Sequence, residues 1–101
     1  MVQVVWAEPA LADLKEIYQF IARDSPRYAQ ITVEKITRTA ARLRTFPRLG
    51  EVLAEFPARQ YRQLVVGAYR LIYREDAEHG RIFIMGVIHA SRNLPPLLEN
   101  R

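Results

Sequence analysis

An α+β fold is expected for this chain: an N-terminal strand, a helical hairpin, then a three-stranded antiparallel meander with the helices packed on one face of the sheet. Three observations predict it. From Leu11 to Leu43 apolar residues recur at helical steps. From Tyr61 onward they fall in short β-branched and aromatic runs, broken at Gly67 and Gly80. The links between those runs are short, which favours antiparallel neighbours over crossovers. The 101 residues suit a single domain, 1–101, with residues 93–101 as a C-terminal tail.

The elements follow in order. Val2-Gln3-Val4-Val5-Trp6 reads as a short strand that joins an edge of the sheet. Glu8 and Pro9 open a helix, since Pro is favoured in the first turn. Leu11, Leu14, Ile17, Tyr18 and Ile21 form its apolar face, leaving Asp13, Lys15, Glu16 and Arg23 mostly to water. Asp24-Ser25-Pro26 ends that helix and starts the next, with Ser25 as N-cap. The second helix runs to about Thr45 on a seam of Ala29, Val33, Ile36, Ala40 and Leu43. Phe46-Pro47 breaks it, and residues 47–58 read as an irregular connector. The meander is then Arg59–Val66, Tyr69–Arg74 and Arg81–His89, with Gly67-Ala68 and Asp76–Gly80 as turns. A two-residue turn at Gly67-Ala68 pairs Val66 with Tyr69, Leu64 with Leu71, Gln63 with Ile72, Val65 with Arg70 and Tyr61 with Arg74. It also turns Arg62 to the other face from Arg70. Leu94, Leu97 and Leu98 of the tail are expected to dock on the sheet or on a partner.

Composition narrows the function. No cysteine is present, so disulfides and thiolate metal sites are excluded, and two histidines make a His-rich metal site a poor expectation. No metal and no cofactor are expected. No leader of basic then apolar residues and no apolar run of about 18 residues occurs, so a cytoplasmic protein with no membrane association is expected. The net charge of +4 is concentrated: residues 38–74 hold eight arginines against Glu51 and Glu55. Arginine's planar fork suits phosphate or carboxylate, so an anionic partner follows, nucleic acid or an acidic protein segment. A merely solvated Arg-rich surface is the plain alternative.

The functional lead is an arginine inside an apolar strand, Tyr69-Arg70-Leu71-Ile72-Tyr73, together with His89 and Arg92 where the last strand ends. An unpaired charge is costly to bury, so Arg70 is expected to have a task. Its structural alternative is pairing with a carboxylate such as Glu55. His89 is the one residue near Arg70 able to carry a proton at neutral pH, or else a strand-end His bonded to backbone or tail. His79, in a turn, is expected to be exposed and unimportant. Tyr18, Phe20, Tyr28, Tyr69 and Tyr73 read as core or interface residues, and only Tyr61 beside Arg62 could offer a base-stacking ring.

Taken in order, these motifs resemble the RelE/ParE superfamily of bacterial toxins. Trp6, Ala10, Asp13-Leu14, Ile17 and Ile21-Ala22 are similar to its first helix. Asp24-Ser25-Pro26 with Ala29, and Leu43, Phe46-Pro47 and Gly50, resemble its helix junction and second-helix exit. Tyr69–Tyr73 and His89-Ala90-Ser91-Arg92 resemble its diagnostic strand and the ParE-type end of the last strand. The resemblance implies the toxin of a type II toxin–antitoxin system, associated with plasmid stabilisation and held inactive by a cognate antitoxin in a hetero-oligomer. A ParE-like chain inhibits DNA gyrase by binding. A RelE-like chain is an endoribonuclease that cuts mRNA on the ribosome, and Arg70 and His89 are then the implied catalytic residues. Arg62, Arg70, Arg74 and Arg92 are the candidates for contact with the target or with phosphate. Residues 90–101 contain no Tyr, His or Lys to serve as second proton carrier, so the expectation leans to ParE. A degenerate, non-toxic module that only binds antitoxin is the third option.

Overall fold

The computed structural model describes residues 1–54, 56 and 58–92. The chain runs β1 (Gln3–Trp6), α1 (Glu8–Ala22), α2 (Pro26–Ala41), a 3₁₀ turn (Arg42–Arg44), β2 (Glu51–Val52), β3 (Arg62–Val66), β4 (Tyr69–Asp76), a second 3₁₀ turn (Ala77–His79) and β5 (Arg81–His89). The strands form one mixed sheet in the order β1-β5-β4-β3-β2. β1 lies parallel to β5, with Gln3 to Trp6 opposite Arg81 to Ile84. The remaining pairs are antiparallel.

Local chemistry accounts for the helices. Ser25 Oγ accepts the Tyr28 amide at 3.1 Å and Pro26 occupies the first turn of α2. Such a cap stabilises a helix by about 1 kcal/mol. Ala7 precedes α1 in extended conformation without a side-chain cap, and Glu8 opposes the positive end of the helix dipole instead. On α2 the expected seam is buried at Ala29, Ile36 and Ala40 and continues to Leu43 in the 3₁₀ turn. On α1 the buried stripe is narrower than expected. Ala10 is its one fully buried residue, Leu14, Ile17 and Ile21 are half-buried, and Leu11 and Tyr18 are exposed. The shortfall reflects the hairpin geometry, in which one α1 stripe faces the sheet and its flanks remain at the surface.

The sheet differs from the expected meander in four respects. The connector contributes a fifth strand, β2, which pairs Glu51 with Gln63 and Val52 with Arg62. β3 begins at Arg62 rather than Arg59, because Gln60 takes a positive φ of 54° inside a turn. β4 continues two residues beyond Arg74, to Asp76. The fourth difference is a bulge: Ile72 faces Gly86 while Tyr73 faces Ile84, so Met85 is an extra residue in β5. The β3–β4 register matches the expectation from Val66↔Tyr69 to Gln63↔Ile72, with Gly67 at φ 59° opening the two-residue turn. Tyr61, expected opposite Arg74, lies just before β3 begins.

The sheet buries both faces. Under the helices lie Ala10, Ile36, Ala40, Leu43, Val66, Leu71, Tyr73, Ile82, Ile84 and Val87. The bulge makes this possible, since Ile84 and Val87 are an odd number of residues apart and would otherwise point to opposite faces. On the other face Leu53 and Tyr61 from the connector cover Ile72 and Ile88, flanked by Phe56 and Met85. No helix among the described residues is long and apolar enough to cross a membrane.

Candidate functional site

The strand register decides which candidate residues meet. Arg70 on β4 stands opposite Val65 of β3 and Ile88 of β5, on the face away from the helices. Its Nη1 donates to Gln63 Oε1 at 3.2 Å, and the Gln63 amide donates to Glu51 Oε1 at 2.6 Å. Gln63 thus relays the polarity of the Glu51 carboxylate to the guanidinium. Arg70 Nη2 reaches the Arg92 carbonyl at 3.5 Å, and its buried Nε has no partner among the described residues. The suggested pairing with Glu55 lies outside the described residues, as do Leu94, Leu97 and Leu98.

His89 stands opposite Tyr69, one step along the pleat and therefore on the helix side of the sheet. The expectation that His89 works beside Arg70 is corrected on this point: the two side chains leave the sheet in opposite directions. The exposed His89 ring meets Tyr69 edge-on, with centroids 5.5 Å apart. Its Nδ1 accepts the Ser91 amide at 3.1 Å and lies 2.7 Å from Ser91 Oγ. Accepting at Nδ1 places the proton of the neutral ring on Nε2. Burial raises the Tyr69 hydroxyl pKa above its ordinary value, and the nearby Tyr28 adds to the rise.

His89 belongs to a groove of about 630 Å³ between α1 and the end of β5, lined among others by Asp13, Ile17, Phe20, Arg23, Tyr69 and Arg92. Asp13 was expected to face water. Instead its Oδ2 accepts the Val87 amide at 3.0 Å. β1 covers β5 only as far as the Ala7 amide bonded to the Ile84 carbonyl, so Asp13 takes up a donor on the strand beyond β1's reach. Helical periodicity gives no sign of this role, because Asp13 sits just off the buried stripe.

The other arginines separate. Arg62 is on the helix side, as the register required, and its Nη1 donates to the Gly50 carbonyl at 2.8 Å. The Gly50 amide in turn donates to the buried Tyr73 hydroxyl at 2.8 Å. Burial raises the Tyr73 pKa, opposed by the Gly50 hydrogen bond and by the Arg62 charge. Arg92 is exposed at the groove mouth. Arg74 shares the helix-free face with Arg70 and lies over the Phe83 ring, 4.6 Å from its centroid. Arg81 meets the same ring at 5.1 Å and donates to Asp76 Oδ2 at 2.9 Å. His79, exposed as expected, also reaches Asp76, at 3.0 Å.

The Arg81 hydrogen bond, followed by that of His79, holds the Asp76 carboxyl below the usual carboxylate range. A depressed folded-state pKa contributes stability that is complete above the unfolded value and disappears as pH falls through the folded one. Asp76→Asn is therefore expected to lower the melting temperature at neutral pH. The gap to wild type should close as pH falls through and below the ordinary carboxylate range. A gap that stays constant over that range would show that the contact contributes nothing through ionisation.

The chemistry open to this arrangement is anion binding. Arg70, Arg74 and Arg81 offer guanidinium donors on one face, while neither histidine stands beside Arg70. Known proteins agree with the architecture. A family model described as the ParE toxin of the type II toxin–antitoxin system parDE matches residues 4–94. Toxin RelE2 of Caulobacter vibrioides is 38% identical over 98 residues, spanning 91% of this chain and 99% of that protein. The chromosomal ParDE system of P. aeruginosa superimposes with a TM-score of 0.72 at 22% identity, over 88% of this chain and 96% of that one. The RelBE2 toxin–antitoxin complex of Mycobacterium tuberculosis gives 0.60 at 27% identity, over 87% and 96%.

Proposed function

The chain belongs to the ParE toxin family of type II toxin–antitoxin systems, and from that membership we propose that it arrests growth by binding DNA gyrase, under the control of a cognate antitoxin. The observation that carries this reading is the separation of Arg70 from His89 on opposite faces of the sheet. Cutting RNA by attack of its 2′-hydroxyl needs a base, an acid and a cation around one phosphate. Arg70 supplies only the cation, because a guanidinium stays protonated at any working pH. Gln63 and the Arg92 carbonyl each take up one of its donors. Binding without covalent chemistry demands no such constellation.

The structural neighbours include a toxin–antitoxin complex, which supports the antitoxin as partner. Exposed Phe20, on the groove beside α1, and exposed Tyr28, close to Tyr69 of the same groove, supply an apolar surface for it, and the cytoplasm is the compartment this reading implies. A second reading, ribosome-dependent mRNA cutting with Arg70 and His89 as catalytic residues, is favoured by the relative named RelE2.

The test is supercoiling of relaxed plasmid by purified gyrase, with antitoxin-free chain added. Inhibition with trapped double-strand breaks is expected, and His89→Ala is expected to inhibit within about twofold of wild type, as for an exposed group outside any reacting constellation. Absence of inhibition by a chain shown to be folded would sink the gyrase reading. Loss of ribosome-dependent cutting in both Arg70→Ala and His89→Ala would then establish the second.

A further inference from the structure

We infer that the helix-free face of the sheet is a binding surface for the phosphate backbone of duplex DNA, centred on Arg74, Arg81 and Phe83. Arg74 and Phe83 are direct neighbours across β4 and β5, and the Phe83 ring carries both guanidiniums, at 4.6 and 5.1 Å. Two like charges gathered at one ring repel each other unless an anion answers them. Asp76 answers only Arg81, and it also serves His79. Arg74 has no carboxylate or carbonyl partner among the described residues, so its fork of donors is left for an acceptor from outside.

The same face extends this cationic centre. Arg70 lies four residues earlier on β4, roughly 13 Å along a strand. Arg59 lies over Tyr61, 5.9 Å from its ring centroid, and donates to the Tyr61 hydroxyl at 3.3 Å, so it is an engaged neighbour of this face rather than part of its centre. The nearby carboxylate of Glu51 is already held by Gln63. Guanidiniums spaced along one face, on either side of the connector residues that cover Ile72, can answer successive phosphates.

Two features select duplex DNA over other anions. β4 and β5 are interior strands, so a peptide laid over Arg74 and Arg81 finds no free main-chain edge to pair with. The rings on this face are also engaged, Phe83 by two guanidiniums, Tyr61 by Arg59 at 2% exposure, and half-buried Phe56 edge-on against Tyr61. An unstacked base of a single strand therefore finds no fully exposed ring among the described residues of this face. What remains is contact with phosphates, which is independent of base sequence. The surface concerns the chain's own hold on DNA and does not rest on the gyrase reading.

The experiment is fluorescence anisotropy of a labelled duplex of two helical turns titrated with antitoxin-free chain, without gyrase, over a series of salt concentrations. Wild type is expected to bind, with affinity falling steeply as salt rises. Arg74→Glu is expected to weaken binding by about tenfold and to reduce the salt slope by about one. Arg74→Gln keeps the packing on Phe83 and carries the test if the charge reversal fails to fold. Arg38→Glu, on the exposed side of α2, is expected to bind like wild type. The inference is overturned by no binding at low salt, by wild-type affinity in folded Arg74 variants, or by an equal loss in Arg38→Glu. It is also overturned by equal or tighter binding of a single strand of the same length or of polyglutamate.

Discussion

Alanine at position 50 is expected to destabilise the protein by about 3 kcal/mol, through overpacking and a lost buried hydrogen bond together. A Cβ there would lie 2.5 Å from the Gln63 carbonyl oxygen and 2.8 and 2.9 Å from Cε1 and Oη of Tyr73. Neither neighbour can yield cheaply. The carbonyl belongs to the backbone of β3, and Tyr73 is fully buried beneath the helices. Moving Gly50 aside instead strips the Tyr73 hydroxyl of its amide donor and Arg62 of its carbonyl acceptor. For a domain of this size the loss corresponds to a fall of roughly 12–24 °C in melting temperature. Gly67→Ala is the natural control. Nothing lies within 4 Å of the added methyl group, so only the positive φ is penalised, at about 1–2 kcal/mol. Thermal melts followed by circular dichroism compare the two directly. A Gly50→Ala protein melting within a few degrees of wild type would mean that the junction of β2, β3 and Tyr73 is not closely packed.

Ile72→Ala is expected to be as damaging, at about 2–5 kcal/mol for a fully buried isoleucine. Its consequence is more local. Ile72 is the floor on which Leu53 and Tyr61 sit, and the connector is pinned there by the Leu53 amide bonded to the Tyr61 carbonyl at 2.8 Å. Removing the floor should speed amide hydrogen exchange at Leu53 and through 58–61 well before α1 or α2 is affected. Leu71→Ala, equally buried but facing the helices, should release both helices along with the sheet. The contrast between the two variants is the observable. Identical exchange patterns would mean that the two faces do not open separately.

How far the sequence could be read depended on what periodicity can carry. The α2 seam, the Ser25 cap and the β3–β4 register came from strong local signals: an unbroken helical repeat, a Ser-Pro junction and a two-residue turn at Gly67-Ala68. β2 was missed because two residues between prolines have no period, and its existence rests on Gln63 and Arg62 across the sheet. The separation of Arg70 from His89 was hidden for a related reason. Placing them needs the β4–β5 register, and the bulge at Met85 breaks the parity that counting through the Asp76–Gly80 turn would use. Asp13 and Phe83 were overlooked because their roles are long-range: one reaches a strand edge and the other receives two guanidiniums from its own sheet. Arg74 was named from the sequence, but nothing local shows that it would be left without an acceptor.

The parallel pairing of β1 with β5 bears on when the protein becomes whole. Among the described elements the first strand, β1, finds its neighbour in Arg81–Ile84 of the last, β5. The α1–α2 hairpin can close early on its local contacts, whereas closure of the sheet waits on the long loop from β1 to β5. A nascent chain interrupted before β5 lacks the strand that joins the N-terminal edge to the meander, and with it the neighbour that Arg74 shares through Phe83. Closure of the sheet therefore waits until β5 has been made, an interval in which an antitoxin already present can take hold of the chain.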